Sequence, residues 1–195
     1  MSTGKSTVIE GRFAKGFTYK DFLAQIKVNK DQFEKYYGTV RLSDDDITFL
    51  RRACQARNGV AKVLVLGEDW CPDVFRGLPV VQRIAEAAGL ELRIFPRDAN
   101  LDIMNEFLNQ GKFQSIPVFV FYTKDLKYIC HFTERPAQAN EERAKIEAEI
   151  KKEMPNASEQ DFRLKVREKT QARYPDWQKA TVREIKQMLS EKLKV

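Results

Sequence analysis

The residue with the clearest chemical capacity is Cys71, in the run Glu68-Asp69-Trp70-Cys71-Pro72-Asp73-Val74. It falls where an apolar stretch, Lys62 to Leu66, gives way to a helical pattern from Asp73 to Ala88. A thiol there stands at a helix N-terminus. Orphan backbone N–H groups and the positive end of the helix dipole favour thiolate over thiol, and the thiolate is the form that attacks disulfides. Cys71 is therefore expected to be partly exposed and more acidic than a free thiol. Asp69 and Asp73 flank it and oppose that shift by like-charge repulsion, unless they serve only as helix-start caps. Pro72 suits the first helical turn, where its missing N–H costs nothing. Trp70 is expected to pack over the thiol.

The other candidate groups are weaker. Cys54 shares a helical stripe with Ile47 and Leu50 and reads as an inert core thiol. Cys130 and the only histidine, His131, are neighbours on a strand pattern, so their side chains face opposite ways and form no Cys-His dyad. Three widely spaced cysteines argue against a disulfide framework, and one histidine excludes chemistry that needs several imidazoles. No metal site and no cofactor are expected. Gly4-Lys5-Ser6 imitates the end of a phosphate-binding loop, but the glycine that motif needs five positions earlier would precede Met1.

The elements that must position Cys71 follow from periodicity. Lys62 to Leu66 and Leu92 to Phe95 read as strands around the helix Asp73 to Ala88, which stops at Gly89; together they make a βαβ unit. A short helix near Leu101 to Asn109 follows. Ile116 to Tyr122 is a third strand, Thr123-Lys124-Asp125 a turn, and Lys127 to Phe132 a fourth strand returning as a hairpin. Ahead of this centre, Thr18/Asp21 and Ser43/Asp46 read as capping boxes that open two or three short helices. Behind it, Ala139 to Lys152 and Ser158 to Tyr174 read as exposed amphipathic helices broken at Met154-Pro155-Asn156 and at Pro175. A last helix, about Ala180 to Lys194, carries Val182, Ile185, Met188 and Leu189 on one face and can dock on a core.

This central region resembles the thioredoxin family. Trp70-Cys71 resembles the Trp-Cys that opens the family's active-site helix. Pro79 matches the proline that kinks that helix, and Ser115-Ile116-Pro117-Val118 matches the segment whose proline is cis. Trp-Cys-Pro-Asp in particular is similar to a bacterial thioredoxin-like branch. The resemblance implies an α/β, thioredoxin-like fold, a central mixed sheet flanked by helices, with helical N- and C-terminal extensions. One domain spans 1–195: an N-terminal helical extension over 1–58, a βαβαββ core over 59–133, a charged helical insertion over 134–178, and a C-terminal core helix over 179–195. It also implies that Pro117 and Ile116 shape a substrate groove with Trp70 as its wall and Pro72 beside it, Pro117 lying next to the thiol.

Two departures from the family bear on one chemical step. Val74 stands where thioredoxins carry the resolving cysteine, so the Cys-x-x-Cys cycle cannot run. Val65 stands where many of them hold the buried carboxylate that takes the resolving thiol's proton. The expected activity is single-cysteine thiol–disulfide exchange. Cys71 attacks a protein disulfide or an oxidised small thiol, and a second thiol, from glutathione, another small thiol or a partner, releases the mixed disulfide. Whether Cys54 or Cys130 could play that second part is open. The rival expectation is a non-catalytic binding module that uses the charged C-terminal helices as a partner surface.

Composition bounds these readings. The 195 residues suffice for one core; the longest apolar run, Pro117 to Tyr122, is far short of a membrane span, and no leader-like apolar stretch opens the sequence, so a cytoplasmic protein is expected. Formal net charge is +6, yet Lys/Arg outnumber Asp/Glu only 19 to 16 over residues 1–133 and 15 to 12 over residues 134–195. Interleaved signs of this kind make a solvated surface rather than a basic arm, and nucleic acid is not an expected partner.

Overall fold

The computed structural model describes residues 8–195, so Gly4-Lys5-Ser6 lies outside the described residues. Four strands form one mixed sheet in the order β2-β1-β3-β4: β1 (Lys62–Gly67), β2 (Glu91–Pro96), β3 (Val118–Tyr122) and β4 (Tyr128–Thr133). β1 runs parallel to β2 and antiparallel to β3, which pairs antiparallel with β4. This is the thioredoxin-like arrangement. All six residues of β1 are buried, as a central strand covered on both faces requires. The connection from β1 to β2 is α5 (Pro72–Ala88), which ends on Gly89 at φ 74°, a left-handed position glycine occupies without strain. The site end of the sheet is therefore the C-terminal end of β1, beside the start of β3.

Among the described residues the N-terminal extension contains four helices: α1 (Glu10–Phe13), α2 (Tyr19–Gln25), α3 (Lys30–Thr39) and α4 (Asp44–Gln55). Ser43 and Asp46 form the full reciprocal capping box at α4. At α2, Thr18 accepts from the Asp21 amide, but Asp21 takes the Thr18 hydroxyl instead of its amide, so only half of that box is present. Phe13, Phe22 and Phe33 each lie essentially fully buried, at about 1.5–3 kcal/mol apiece, so the extension is fastened to the core. Phe17 adds a single antiparallel bridge to Ile94 on the outer edge of β2.

The C-terminal region is α7 (Ala137–Glu153), α8 (Glu159–Gln171) and α9 (Tyr174–Leu193); α6 (Leu101–Met104) is a single turn after β2. The helix expected from about residue 180 begins six residues earlier. Pro175 does not separate two helices but sits in the first turn of α9, where a proline sacrifices no hydrogen bond. The division expected at 178/179 thus falls inside one helix. Tyr174 and Trp177 bury against the core, and Gln178 Nε2 donates to Thr39 Oγ1 at 3.0 Å and to the Tyr36 carbonyl at 3.3 Å. Ile150 of α7 and Val166 of α8 are buried outside that main core, as the thin apolar spacing of those helices predicts. Among the described residues no helix is long and apolar enough to cross a membrane.

One close approach in the core bears directly on the site. A Cβ at Gly67, the last residue of β1, would lie 2.9 Å from Cγ1 of Val74, which is fully buried and β-branched and cannot swing aside. Gly67→Ala is expected to destabilise the fold by about 1–3 kcal/mol through overpacking, read as a lower urea midpoint. An unchanged midpoint would show that α5 can lift from β1.

Candidate active site

Cys71 is the N-cap of α5, with extended backbone at φ −84° and ψ 121°. Its carbonyl accepts from the amides of Val74 (3.0 Å) and Phe75 (3.2 Å), and its own amide donates to Glu68 at 3.3 Å. Pro72 follows at the first helical position and is exposed. The thiol itself points inward: Sγ donates to the carbonyl of Ile116 at 3.7 Å. Ile116 precedes Pro117 through a cis peptide bond, both residues are buried, and the Pro117 ring lies beside Gly77 of α5, its Cγ 3.5 Å from where a Cβ on Gly77 would be. Cys71 thus meets the proline loop through the Ile116 carbonyl.

The expected exposure and acidity of Cys71 are both corrected. The residue is only 8% exposed and its thiol is pushed up from the ordinary value. Burial is the largest cause. The amides of Val74 and Asp73 favour the thiolate as the helix terminus should, while the carboxylates of Asp73 and Glu134 oppose it. Position on the helix could be read from the sequence; the desolvation that outweighs it could not.

The two flanking carboxylates part company. Asp69 accepts the backbone N–H groups of Lys27 (2.9 Å) and Val28 (3.3 Å), and Asn29 Nδ2 donates to the Asp69 carbonyl at 2.9 Å. Its work is to clamp the α2–α3 link to the active-site loop. Asp73 remains beside the thiol, held by Arg135 at 2.8 Å and by Arg76 at 4.0 Å. Trp70 is half exposed, with the Arg97 guanidinium 5.3 Å above its ring centre.

Glu134 and Arg135 are missing from the sequence-derived set. The Glu134 amide donates to the Pro117 carbonyl at 2.7 Å, which ties the end of β4 to the proline loop. The signal was the hairpin: β4 returns antiparallel to β3, and with Thr133 paired to Val118 the next residues must land beside Pro117.

The other thiols lie elsewhere, and all three cysteines are free. Cys130 pairs with Phe121, which pairs with Val63, four residues from the site end of β1 and about 13 Å away along the strand. Cys54, near the C-terminus of α4, belongs to the opposite end, since Val60 N donates to the Ala53 carbonyl just before β1 begins. Neither is within the ~4.4–6.8 Å between Cα atoms that a disulfide with Cys71 needs. Among the described residues no three His, Cys, Asp or Glu side chains gather as a metal-binding group.

Burial pushes the Cys130 thiol up to about 12 and raises that of Cys54. A thiol whose pKa is higher folded than unfolded contributes stability below about pH 8.5, and that contribution is lost as pH rises toward the folded value. Urea midpoints are therefore expected to fall between about pH 8.5 and 12, and Cys130→Ala should flatten part of the fall. The same slope in wild type and variant would contradict the burial of this thiol.

A family model described as thioredoxin matches residues 16–154. No curated protein matches the chain. Among solved structures, a protein of unknown function from Pseudomonas aeruginosa aligns at a TM-score of 0.67 and 15% identity, over 94% of this chain and 98% of that one. An HIV epitope-scaffold aligns at 0.65 and 15% identity, over 94% and 99%. At such identity these likenesses concern the fold alone.

Proposed function

The chain belongs to the thioredoxin family, and from that membership we propose that it performs single-cysteine thiol–disulfide exchange through Cys71. The observation that carries the reading is the seating of the Cys71 sulfur. It lies among the first amides of α5 and 3.7 Å from the carbonyl of the residue that precedes the cis proline. A disulfide entering over Trp70 meets a sulfur whose developing negative charge lies beside the first backbone amides of α5, which favour it.

The step balances simply. The Cys71 proton leaves to solvent, the thiolate attacks one sulfur of R–S–S–R′, the S–S bond breaks, and R′–S⁻ departs, leaving Cys71 in a mixed disulfide with R. An external thiolate, R″–S⁻, then attacks that mixed disulfide and returns Cys71 as thiolate. Fully buried Val74 cannot take that role, and the distances to Cys54 and Cys130 leave it to a thiol from outside. Because the resting thiol is buried and raised, attack is slow at neutral pH and rises with alkalinity.

The second reading, a binding module without turnover, is favoured by that same burial: a thiol 8% exposed and hydrogen-bonded to a carbonyl is well placed to stay a thiol. Incubation of the native protein with hydroxyethyl disulfide, followed by intact and peptide mass spectrometry, separates the two. One adduct on Cys71, removable by an added small thiol, supports exchange. An unmodified Cys71 in a folded protein supports the binding module.

A further inference from the structure

One turn beyond the thiol, α3, α5, α8 and the start of α9 line a recess of about 80 Å³. Three cations reach it, Lys35, Arg76 and Arg167, and the amides of Gln32 and Gln171 add further donors. Among the described residues no Asp or Glu lines it. The cations are poorly compensated. Among the described residues neither Lys35 nor Arg167 has an ion-pair partner, while Arg76 reaches Asp73 only at 4.0 Å, and Asp73 is already engaged by Arg135 at 2.8 Å. The Nε of Arg76 is buried without a hydrogen-bond partner.

Arg76 is also held in place. Its guanidinium lies 4.3 Å from the centre of the Tyr174 ring and 5.4 Å from that of Phe75, and Phe75 stacks on Tyr36 at 6.0 Å. An ordered guanidinium loses little entropy on binding a planar oxyanion, and three converging like charges repel one another until an anion enters. The recess is therefore complementary to a carboxylate or phosphate.

Its place relative to the thiol indicates what carries that anion. Phe75, which lines the recess, is four residues after Cys71, one turn further along α5 and a rise of about 6 Å. We infer that the recess binds the carboxylate or phosphate of a low-molecular-weight thiol or disulfide, whose sulfur then reaches Cys71. The inference rests on the exchange reading and specifies its partner: the external thiol is an anionic small molecule. It also gives the charged C-terminal segment a task, since α8 supplies Arg167 and Gln171.

The test compares three small disulfides of similar size, dithiodipropionate (anionic), hydroxyethyl disulfide (neutral) and cystamine (cationic), by their rates of adduct formation on Cys71. The anionic compound is expected to react roughly tenfold faster than the neutral one, the cationic one slower still, and the spread should shrink in high salt. Lys35→Gln with Arg167→Gln should bring the anionic-to-neutral ratio toward one. Lys124→Gln with Lys127→Gln, an equal loss of charge at the far β3–β4 turn, should leave the ratio as it is. Equal rates for all three compounds, or a ratio that survives the Lys35/Arg167 pair, would overturn the inference. If Cys71 reacts with none of them, the exchange reading fails, and amide NMR titration still decides the recess. Shifts at α3 and α8 with inorganic phosphate or with propionate, lost in the Lys35/Arg167 pair, support an oxyanion site and tell phosphate from carboxylate. No shift with either overturns it.

Discussion

Val74→Cys is expected to convert a thiol that stops at a mixed disulfide into one that turns over. Wild-type protein supplied with a dithiol recycling system should reduce insulin poorly and accumulate Cys71 adducts. The variant should carry Cys-Pro-Asp-Cys, three residues apart on α5, and raise turnover by roughly tenfold or more, because resolution becomes intramolecular. Val74 is fully buried and packs on Gly67, and cysteine is smaller than valine, so the exchange leaves room rather than strain. With Val65 still in place no buried carboxylate assists the second thiol, so the gain should be larger at pH 9 than at pH 7. Rapid insulin reduction by the wild type would contradict this account, since Cys54 and Cys130 are both too distant to resolve Cys71 without rearrangement of the fold.

Cys71→Ser should have the largest effect of any single substitution on the site. Adduct formation on the native protein should fall by roughly two orders of magnitude, because burial raises both remaining thiols, Cys130 to about 12, and neither has the helix-start amides that favour the thiolate at Cys71. The fold should tolerate the change, since serine at the N-cap of α5 is a preferred capping residue. Thermal stability equal to or above wild type, with adducts lost, separates chemistry from packing. Adducts that persist in the folded variant would assign the reactivity to another thiol.

The sheet and α5 were legible because their signals are local. The apolar run of β1, the 3–4 spacing that ends on Gly89 and the alternation around the β3–β4 turn each follow from a few adjacent residues. Capping was legible at Ser43 for the same reason. What depended on residues distant in sequence was not. Pro175 looks the same whether it breaks a helix or begins one, and Tyr174 and Trp177, which pack α9 on the core, decided the outcome. Asp69 beside a thiol reads as an electrostatic neighbour until Lys27 and Val28, some forty residues earlier, claim it. The sequence placed Cys71 on a helix terminus, but its acidity is set first by burial, which comes from residues distant in sequence such as Ile116, forty-five residues later, whose carbonyl its sulfur meets.

The most direct measurement is the rate of mixed-disulfide formation on Cys71 with hydroxyethyl disulfide from pH 6 to pH 10, on protein shown to be folded at each pH by circular dichroism. The account predicts a single adduct, on Cys71, forming slowly near neutrality, with a rate still climbing above pH 9 because the thiol is raised. A Cys71 that stays unmodified across the whole range while the fold holds, and reacts only once the protein is unfolded in urea, would contradict the exchange reading and leave a thioredoxin-fold binding module.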